Sequence, residues 1–582
     1  MPTYVDAGDG TRIAVYEEGN PAGPTIVFVH GWPDSHVLWD SVVAQLREDY
    51  RIIRYDNRGA GASEVPSYPS AYTVEQLADD FAAVAAATSP DTPVHVVGHD
   101  WGAATVWEYV TRPEAASRVA SYTSISGPDT GQLARFLRDG LSRPYRPKRF
   151  ARALAQGLHF SYMLFFRTRL AGPIMRAFLA DVARKHVINT GVPRQRRHQG
   201  PTFVADAANG MKIYRANFPR VLNRSARDRS VAVPVQLLVN TRDRFVRPYV
   251  YDDTPRWVAR LWRRDIHAGH WLPLTHPQVV AAAVAEFVEH LEGAPAVRAL
   301  LRAEVGRTRG PFGDTLVVVT GAGSGIGAAT ARAFAAEGAE VVAADINGTA
   351  AGQTAEEINA AGGVAHAYTV DVADADAVQS FADQVCAVHG VPDIVVNNAG
   401  IGVAGSFLDT PAEDFDRVLE VNLGGVVNGC RAFAPRLVER GTGGHIVNVA
   451  SMAAYAPLSS LSAYCTSKAA VFMFSDCLRA ELDAAGVGLT TICPGVINTN
   501  IVSTTAFHVP EGRRTKVPGR RAQVEKMFAA RNYGPDKVAT AILAAVRKNT
   551  PIRPVSPEAY LVYGTSRLAP QALRSTARTK VV

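Results

Sequence analysis

The chain has 582 residues, 47% of them hydrophobic and 20% charged, with a formal charge of +7. Single cores stop growing at about 250–300 residues, so this length predicts two domains of ordinary globular composition. No apolar run reaches the ~18 residues of a spanning helix. The five cysteines, Cys386, Cys430, Cys465, Cys477 and Cys493, occur singly, which excludes a disulfide framework or a zinc-holding cysteine cluster. No metal site is expected. The opening Met1–Asp6 lacks the basic and apolar regions of a secretory leader, so a cytoplasmic chain is expected.

The first half alternates short apolar runs with helical stretches. The runs are Thr25–Val29, Tyr50–Tyr55, Val94–Val97 and Val235–Val239. This alternation predicts a parallel sheet with helical crossovers. Residues 129–219 break the pattern with Arg-rich helical sequence and read as a cap inserted between strands. The charge is concentrated here: from Gly131 to Arg229, 21 Lys and Arg face four Asp and Glu, so this stretch carries +17 and the rest of the chain −10. Residues 293–313 turn to small residues and arginines and read as a linker.

Within this half, Gly98-His99-Asp100-Trp101-Gly102 follows a strand and precedes a helix. Its glycines flank Asp100 as they flank the serine of a G-x-S-x-G nucleophile elbow. A carboxylate there attacks a saturated carbon and forms an ester that water must then hydrolyse. A base is needed for the second step, and Ala268-Gly269-His270-Trp271 supplies His270 at the expected place in chain order. Asp243, at the end of the preceding strand, would orient His270; Asp265, five residues before it, is a weaker competitor. His30-Gly31-Trp32-Pro33 follows an early strand, and an oxyanion hole is expected from the backbone N–H groups of Trp32 and Trp101.

HGWP, DNRGAGAS, GHDWGA and AGHW together resemble the α/β-hydrolase epoxide hydrolases over about residues 1–292. The resemblance implies two cap tyrosines that hold the epoxide oxygen and donate a proton, and these map to Tyr162 and Tyr214. A haloalkane dehalogenase, which shares the Asp elbow, is the first alternative. A non-catalytic, lipid-binding hydrolase shell is the second.

The second half opens with strand Leu316–Val319 feeding Thr320-Gly321-Ala322-Gly323-Ser324-Gly325-Ile326-Gly327. Glycines let the backbone approach a pyrophosphate, and the helix that follows favours its charge. Strands Val341–Ala344, Ile394–Val396, Gly444–Val449 and Gly488–Ile492 predict a doubly wound parallel sheet of Rossmann type. Asp345 ends the second strand, where a carboxylate accepts from a ribose diol and repels a 2′-phosphate, so NAD is expected over NADP. Tyr464 and Lys468 share one helix face at i, i+4. An ammonium beside a phenol is expected to lower the phenol's pKa. Ser451, just past a strand, can bind the substrate oxygen.

This half resembles the short-chain dehydrogenase/reductase family over about residues 314–550. The resemblance implies a catalytic tetrad of Asn422, Ser451, Tyr464 and Lys468. It also implies cofactor contacts from Gly321, Ser324, Gly325, Ile326, Gly327, Asp345, Asp371, Val372, Asn398, Ala399, Gly400, Tyr464, Lys468, Pro494, Gly495, Val496, Ile497 and Thr499. A homo-oligomer through this domain is implied as well. The whole chain is similar to actinobacterial fusions of an epoxide-hydrolase-type domain with a short-chain dehydrogenase, which implies lipid-like substrates.

Basic segments recur at Arg143–Arg149, Arg194–Arg197, Arg513–Arg521 and in residues 551–582, read as a basic C-terminal tail. Docking of the cytoplasmic chain on an anionic membrane face is the partner these suggest. Nucleic acid is not expected, because no recognition module accompanies the charge.

Overall fold

A computed structural model describes residues 1–197, 200–223, 229–509, 517–531 and 533–576. The chain divides into two compact units, Met1–Arg307 and Thr308–Val582.

The first unit is built on an eight-stranded sheet. Its strands are β1 (Thr3–Asp6), β2 (Arg12–Gly19), β3 (Thr25–Val29), β4 (Arg51–Tyr55), β5 (Val94–His99), β6 (Val119–Ile125), β7 (Val235–Asn240) and β8 (Leu261–Ile266), in the order β1-β2-β4-β3-β5-β6-β7-β8. The β1–β2 and β2–β4 pairings are antiparallel; β4, β3 and β5 to β8 run parallel. Central β5 is buried at all six positions, as a strand covered on both faces must be. The cap is inserted between β6 and β7 and begins with helix Thr130–Leu141, whose first turn is capped by the Asp129 carboxylate. It ends with the 21-residue helix Phe203–Asn223. Arg229, where the chain returns, is buried against Asp129 and Glu108, so one guanidinium ties the two stems of the insertion.

The second unit has a seven-stranded parallel sheet. Its strands are β9 (Leu316–Thr320), β10 (Glu340–Asp345), β11 (Val364–Thr369), β12 (Ile394–Asn397), β14 (Gly444–Val449), β15 (Val487–Pro494) and β17 (Ile552–Val555); β13 (Val403–Gly405) and β16 (Ala506–His508) pair separately. The order β11-β10-β9-β12-β14-β15-β17 reverses direction between β9 and β12. That is the switch point at which doubly wound sheets bind ligands, at the C-terminal strand ends.

Two expected boundaries shift. Residues 293–313 are not a free linker. Helix Arg298–Ala303 seats Leu300 in a cluster with Trp262 and Phe287 of the first unit, and Phe312 packs on Phe334 of the second, ring centroids 4.8 Å apart. Residues 551–582 are not only a tail: β17 completes the sheet against β15, and helix Pro557–Leu568 follows it. In both places a few apolar side chains at helix or strand spacing outweigh a basic composition. Arg513, Arg514, Lys516, Arg578 and Lys580 lie outside the described residues. Among those described, no helix is long and apolar enough to cross a membrane.

Candidate active sites

In the first unit β5 turns sharply into helix Trp101–Val110 at Asp100, whose φ of 51° and ψ of −122° are strained for a residue with a side chain. Gly102 makes this turn possible, because a Cβ there would meet the His30 carbonyl oxygen at 2.3 Å. Asp100 Oδ2 accepts from the Trp32 backbone N–H at 3.0 Å, and Oδ1 lies 3.6 Å from His270 Nε2. His270 Nδ1 is 2.8 Å from Asp243 Oδ2. Asp243 Oδ1 accepts in turn from the N–H groups of Phe245 and Val246, at 2.7 and 3.0 Å. The structure therefore brings together Asp100, His270 and Asp243, and one expected oxyanion donor, Trp32, already rests on the Asp100 carboxylate. Asp265 is exposed and paired with Arg263. His99 is buried with Nε2 3.0 Å from the His270 carbonyl, a packing role.

Burial opposes a charged His270, but the Asp243 and Asp100 carboxylates outweigh it and push the imidazole up to about 10. Asp243, although buried, is held below the usual carboxylate range by His270 and the two backbone donors.

Tyr162 and Tyr214 come from the cap and meet above Asp100, ring centroids 6.2 Å apart and hydrogen-bonded to each other. Burial raises both phenols far above their ordinary value, helped by the Asp100 charge at Tyr162 and by Tyr162 and then Asp100 at Tyr214, so both stay protonated. The side wall comes from two residues the sequence did not single out, Phe166 and Phe245, together with the Trp101 side chain. Phe166 lies 5.1 Å from the Trp32 and Tyr214 rings, Phe245 4.9 Å from His270, and the Trp101 indole 5.4 Å from Tyr214. Phe166 sits one helical turn after Tyr162 and Phe245 two residues after Asp243, and those spacings were the available signals.

In the second unit Gly321 follows β9 with φ +65°, and a Cβ there would meet the Ala399 Cα at 2.8 Å. Only glycine lets the β9 turn approach the Asn398-Ala399-Gly400 turn after β12 so closely. Asn398 Nδ2 donates to the Thr320 and Gly321 carbonyls, and the Thr320 hydroxyl accepts from the Asn398 and Ala399 N–H groups. Ser324 stands at the N-cap position of helix Gly325–Ala336 without a side-chain hydrogen bond to its first turn; Ser324, Gly325 and Ile326 are accessible while Gly327 is buried. Asp345, at the end of β10, accepts from the Gly323 and Asn347 N–H groups, each at 2.9 Å. Asp371 is held by Arg417 and the Ala373 N–H, and Val372 is buried beside it. A glycine turn, a helix N-terminus and a partly exposed carboxylate in this order fit a dinucleotide.

Asn422 is wholly buried, binds the Ile401 backbone on both sides and donates to Ser467 Oγ at 3.1 Å. Lys468 Nζ donates to the Val449 carbonyl at 2.9 Å and stands 5.9 Å from the Tyr464 ring centroid. Burial lowers Lys468 to about 8. The expectation of a depressed phenol reverses: burial raises Tyr464, outweighing a hydrogen bond with Ser451 that lowers it. Pro494-Gly495-Val496-Ile497 ends β15, with Thr499 after it. Its unforeseen support is Glu558, from the stretch read as a tail: Glu558 Oε1 accepts from the Val496 N–H at 3.0 Å and is ion-paired through Oε2 with Arg531.

Away from this site, Glu340, His366 and His389 bring three possible ligand atoms within 4.8 Å of one another. They lie at the opposite end of β10 from Asp345 and are joined by hydrogen bonds.

The two units match two family models, the alpha/beta hydrolase fold over residues 24–277 and short chain dehydrogenase over residues 315–508. Across all of its length the chain is 62% identical, over 586 aligned residues and 99% of the relative, to the probable oxidoreductase EphD of Mycobacterium tuberculosis strain H37Rv. The probable oxidoreductase EphD of Mycobacterium bovis matches at the same identity and coverage. The chain belongs to the EphD oxidoreductase family. The second half is also 40% identical to the D-threitol dehydrogenase of Mycolicibacterium smegmatis, over 218 residues, 37% of this chain and 83% of that protein. The chain joins an α/β-hydrolase domain to an oxidoreductase domain of a family that uses a nicotinamide cofactor.

Proposed function

We propose that this EphD-family chain is a two-site enzyme. The first unit is an epoxide hydrolase with Asp100 as nucleophile, and the second is an NAD-dependent alcohol/ketone oxidoreductase. The observation that carries the hydrolase reading is Asp100 itself. One carboxylate oxygen is held by Trp32, the other faces His270, and two protonated phenols stand above it.

In this reading an Asp100 oxygen attacks an epoxide carbon, the ring C–O bond breaks, and the alkoxide takes a proton from Tyr162 or Tyr214. His270, oriented by Asp243, then removes a proton from water. The hydroxide attacks the ester carbonyl carbon and the Trp32 and Trp101 N–H groups hold the oxyanion; the ester C–O bond then breaks, the leaving alkoxide takes the proton of the new Asp100 carboxyl, and the diol departs. Ester formation removes the Asp100 charge that helps keep His270 protonated, and His270 gives its proton back to the phenolate left by ring opening, so a neutral base is ready for the water step. The phenol pair favours an epoxide over a haloalkane, because a leaving halide takes no proton. The complete Asp100–His270–Asp243 set favours catalysis over a lipid-binding shell. Turnover of a fatty-epoxide panel by wild type and Asp100→Ala tests this reading; diol formation surviving in the variant refutes it.

In the second unit NAD, when bound, supplies the hydride acceptor or donor. Ser451 holds the substrate oxygen, Tyr464 moves its proton, and Lys468 and Asn422 position that transfer. Asp345 supports NAD over NADP, because a 2′-phosphate would meet its carboxylate. The aromatic walls above Asp100 and the exposed basic cap support lipid-like substrates taken at an anionic membrane face. Exposed Met473 and Leu561 give a homo-oligomer of the dehydrogenase unit apolar surface to cover.

A further inference from the structure

Part of the cap's positive charge converges on one place. An open cavity of about 530 Å³, within the range of small-molecule pockets, lies between helical residues 171–177 and helix Phe203–Asn223. Arg169, Arg176, Lys212 and Arg215 line it, with Pro173 and Ala208 among its apolar walls and no carboxylate among the described residues. Among the described residues the cap's acidic groups are engaged elsewhere: Asp129 pairs with Arg229, Asp139 lies 4.0 Å from Arg149, Asp181 pairs with Arg184, and Asp206 accepts from Gly61 and Thr202.

Among the described residues no carboxylate pairs with any of the four cations, and three of them have neutral partners. Arg215 donates to the Thr168 carbonyl at 2.9 Å, Lys212 to the Pro66 carbonyl at 2.6 Å, and Arg176 reaches Asn209 Oδ1 at 3.4 Å. Arg215 Nε is buried with no hydrogen-bond partner. Burial and neighbouring guanidiniums push Lys212 and Arg215 below their ordinary values. Gathering like charges without a counter-charge costs stability, and a fork of guanidiniums with free donors suits an oxyanion such as phosphate.

Exposed apolar side chains next in sequence to two lining residues indicate what carries that phosphate. Leu170 follows Arg169 and is 67% exposed; Phe178 follows Ala177 and is 58% exposed. Cations for a headgroup beside large apolar side chains for the acyl boundary are the pattern of an interfacial helix. A water-soluble phosphate would have no use for those exposed apolar side chains. We infer that this cavity takes the phosphate of an anionic phospholipid headgroup while Leu170 and Phe178 enter the acyl boundary, seating the cap on the membrane. The inference rests on the membrane-surface part of the proposed function and assigns it to one site.

Sedimentation of the full chain with phosphatidylcholine vesicles, with and without phosphatidylglycerol, tests it. One cation near an anionic surface is worth about fivefold in partition, so Arg176→Gln/Lys212→Gln should bind about 25-fold more weakly. Arg146→Gln/Lys148→Gln removes the same charge elsewhere on the cap and should lose less than half as much on a logarithmic scale. Because the pocket cations repel one another, the Arg176/Lys212 variant should melt no lower than wild type, which separates lost binding from lost folding. Leu170→Ser/Phe178→Ser should weaken partition while calorimetric binding of inorganic phosphate persists. Equal losses in the two charge variants would overturn the pocket and leave the membrane reading standing. Absence of any phosphatidylglycerol preference in wild type would overturn both. Unchanged partition of the Leu170/Phe178 variant would make the cavity a soluble-phosphate site and overturn the lipid assignment.

Discussion

In the hydrolase unit His270 stands between two carboxylates, and their pull outweighs burial and raises the imidazole to about 10. In the dehydrogenase unit the partner of Lys468 is the Val449 carbonyl, and burial lowers the ammonium to about 8. Tyr464 is likewise pushed toward its neutral form. One site is tuned by charges set against each other, the other by dehydration. The backbone follows the same division. The hydrolase places its carboxylate on a strained turn of a residue with a side chain, whereas the dehydrogenase leaves its turn to glycine. A charge-paired site carries its own counter-charges. A dehydrated one disfavours the charged forms of its groups until another charged species is beside them.

The largest expected effect is at Asp100. Asp100→Ala should lower epoxide turnover by at least about 10⁴-fold, as removal of a nucleophile acting within a triad does, with NAD-dependent oxidation unchanged. Loss of both activities together would break the separation of the two sites. Tyr464→Phe is the reciprocal change: dehydrogenase turnover should fall about 10²–10⁴-fold in steady-state assays while diol formation persists. The cap phenols should be smaller contributors, because either can donate. Tyr162→Phe and Tyr214→Phe should each cost about tenfold, and the pair about 10²-fold or more, with the effect in kcat. An unaffected double variant would remove the epoxide assignment and return attention to a halide substrate.

The smallest effect is on stability against pH, and it has opposite signs in the two units. His270 has a raised folded value, so its contribution is complete below about 6.5 and is lost as pH rises through about 10. Lys468 has a lowered folded value, so its penalty is complete below about 8 and is lifted as pH rises toward about 10.5. Calorimetry between pH 7 and 10 should show the hydrolase slope flattened by His270→Gln and the dehydrogenase slope flattened by Lys468→Met. Identical slopes in both variants and wild type would contradict the contrast.

The sequence was most legible where chemistry and backbone demand the same residues. Asp100 between glycines, the run Gly321–Gly327 and the Tyr464–Lys468 pair could be read directly, because each spacing is imposed by a turn or a helix face. Strands were harder wherever polar side chains are buried with partners. β6 has Ser121 2.8 Å from His95 Nδ1 and Ser124 accepting from the Trp107 indole, so its sequence resembles a loop. β8 holds two arginines and an aspartate, and β17 was hidden in a basic tail. The site residues that went unread, Phe166, Phe245 and Glu558, act through tertiary contacts that no local pattern encodes. The Tyr464 direction was misread for a related reason: the i, i+4 spacing shows the neighbouring ammonium but not the depth at which both groups lie.

A single turnover with enzyme in excess over a fatty epoxide, in water enriched in heavy oxygen, tests the central claim most directly. If Asp100 attacks the epoxide, the oxygen added to the first diol comes from its carboxylate. The diol is then unlabelled, and the heavy atom appears in the peptide containing Asp100. Heavy oxygen in the first-turnover diol, with an unlabelled Asp100 peptide, would mean direct attack by water and would contradict the account.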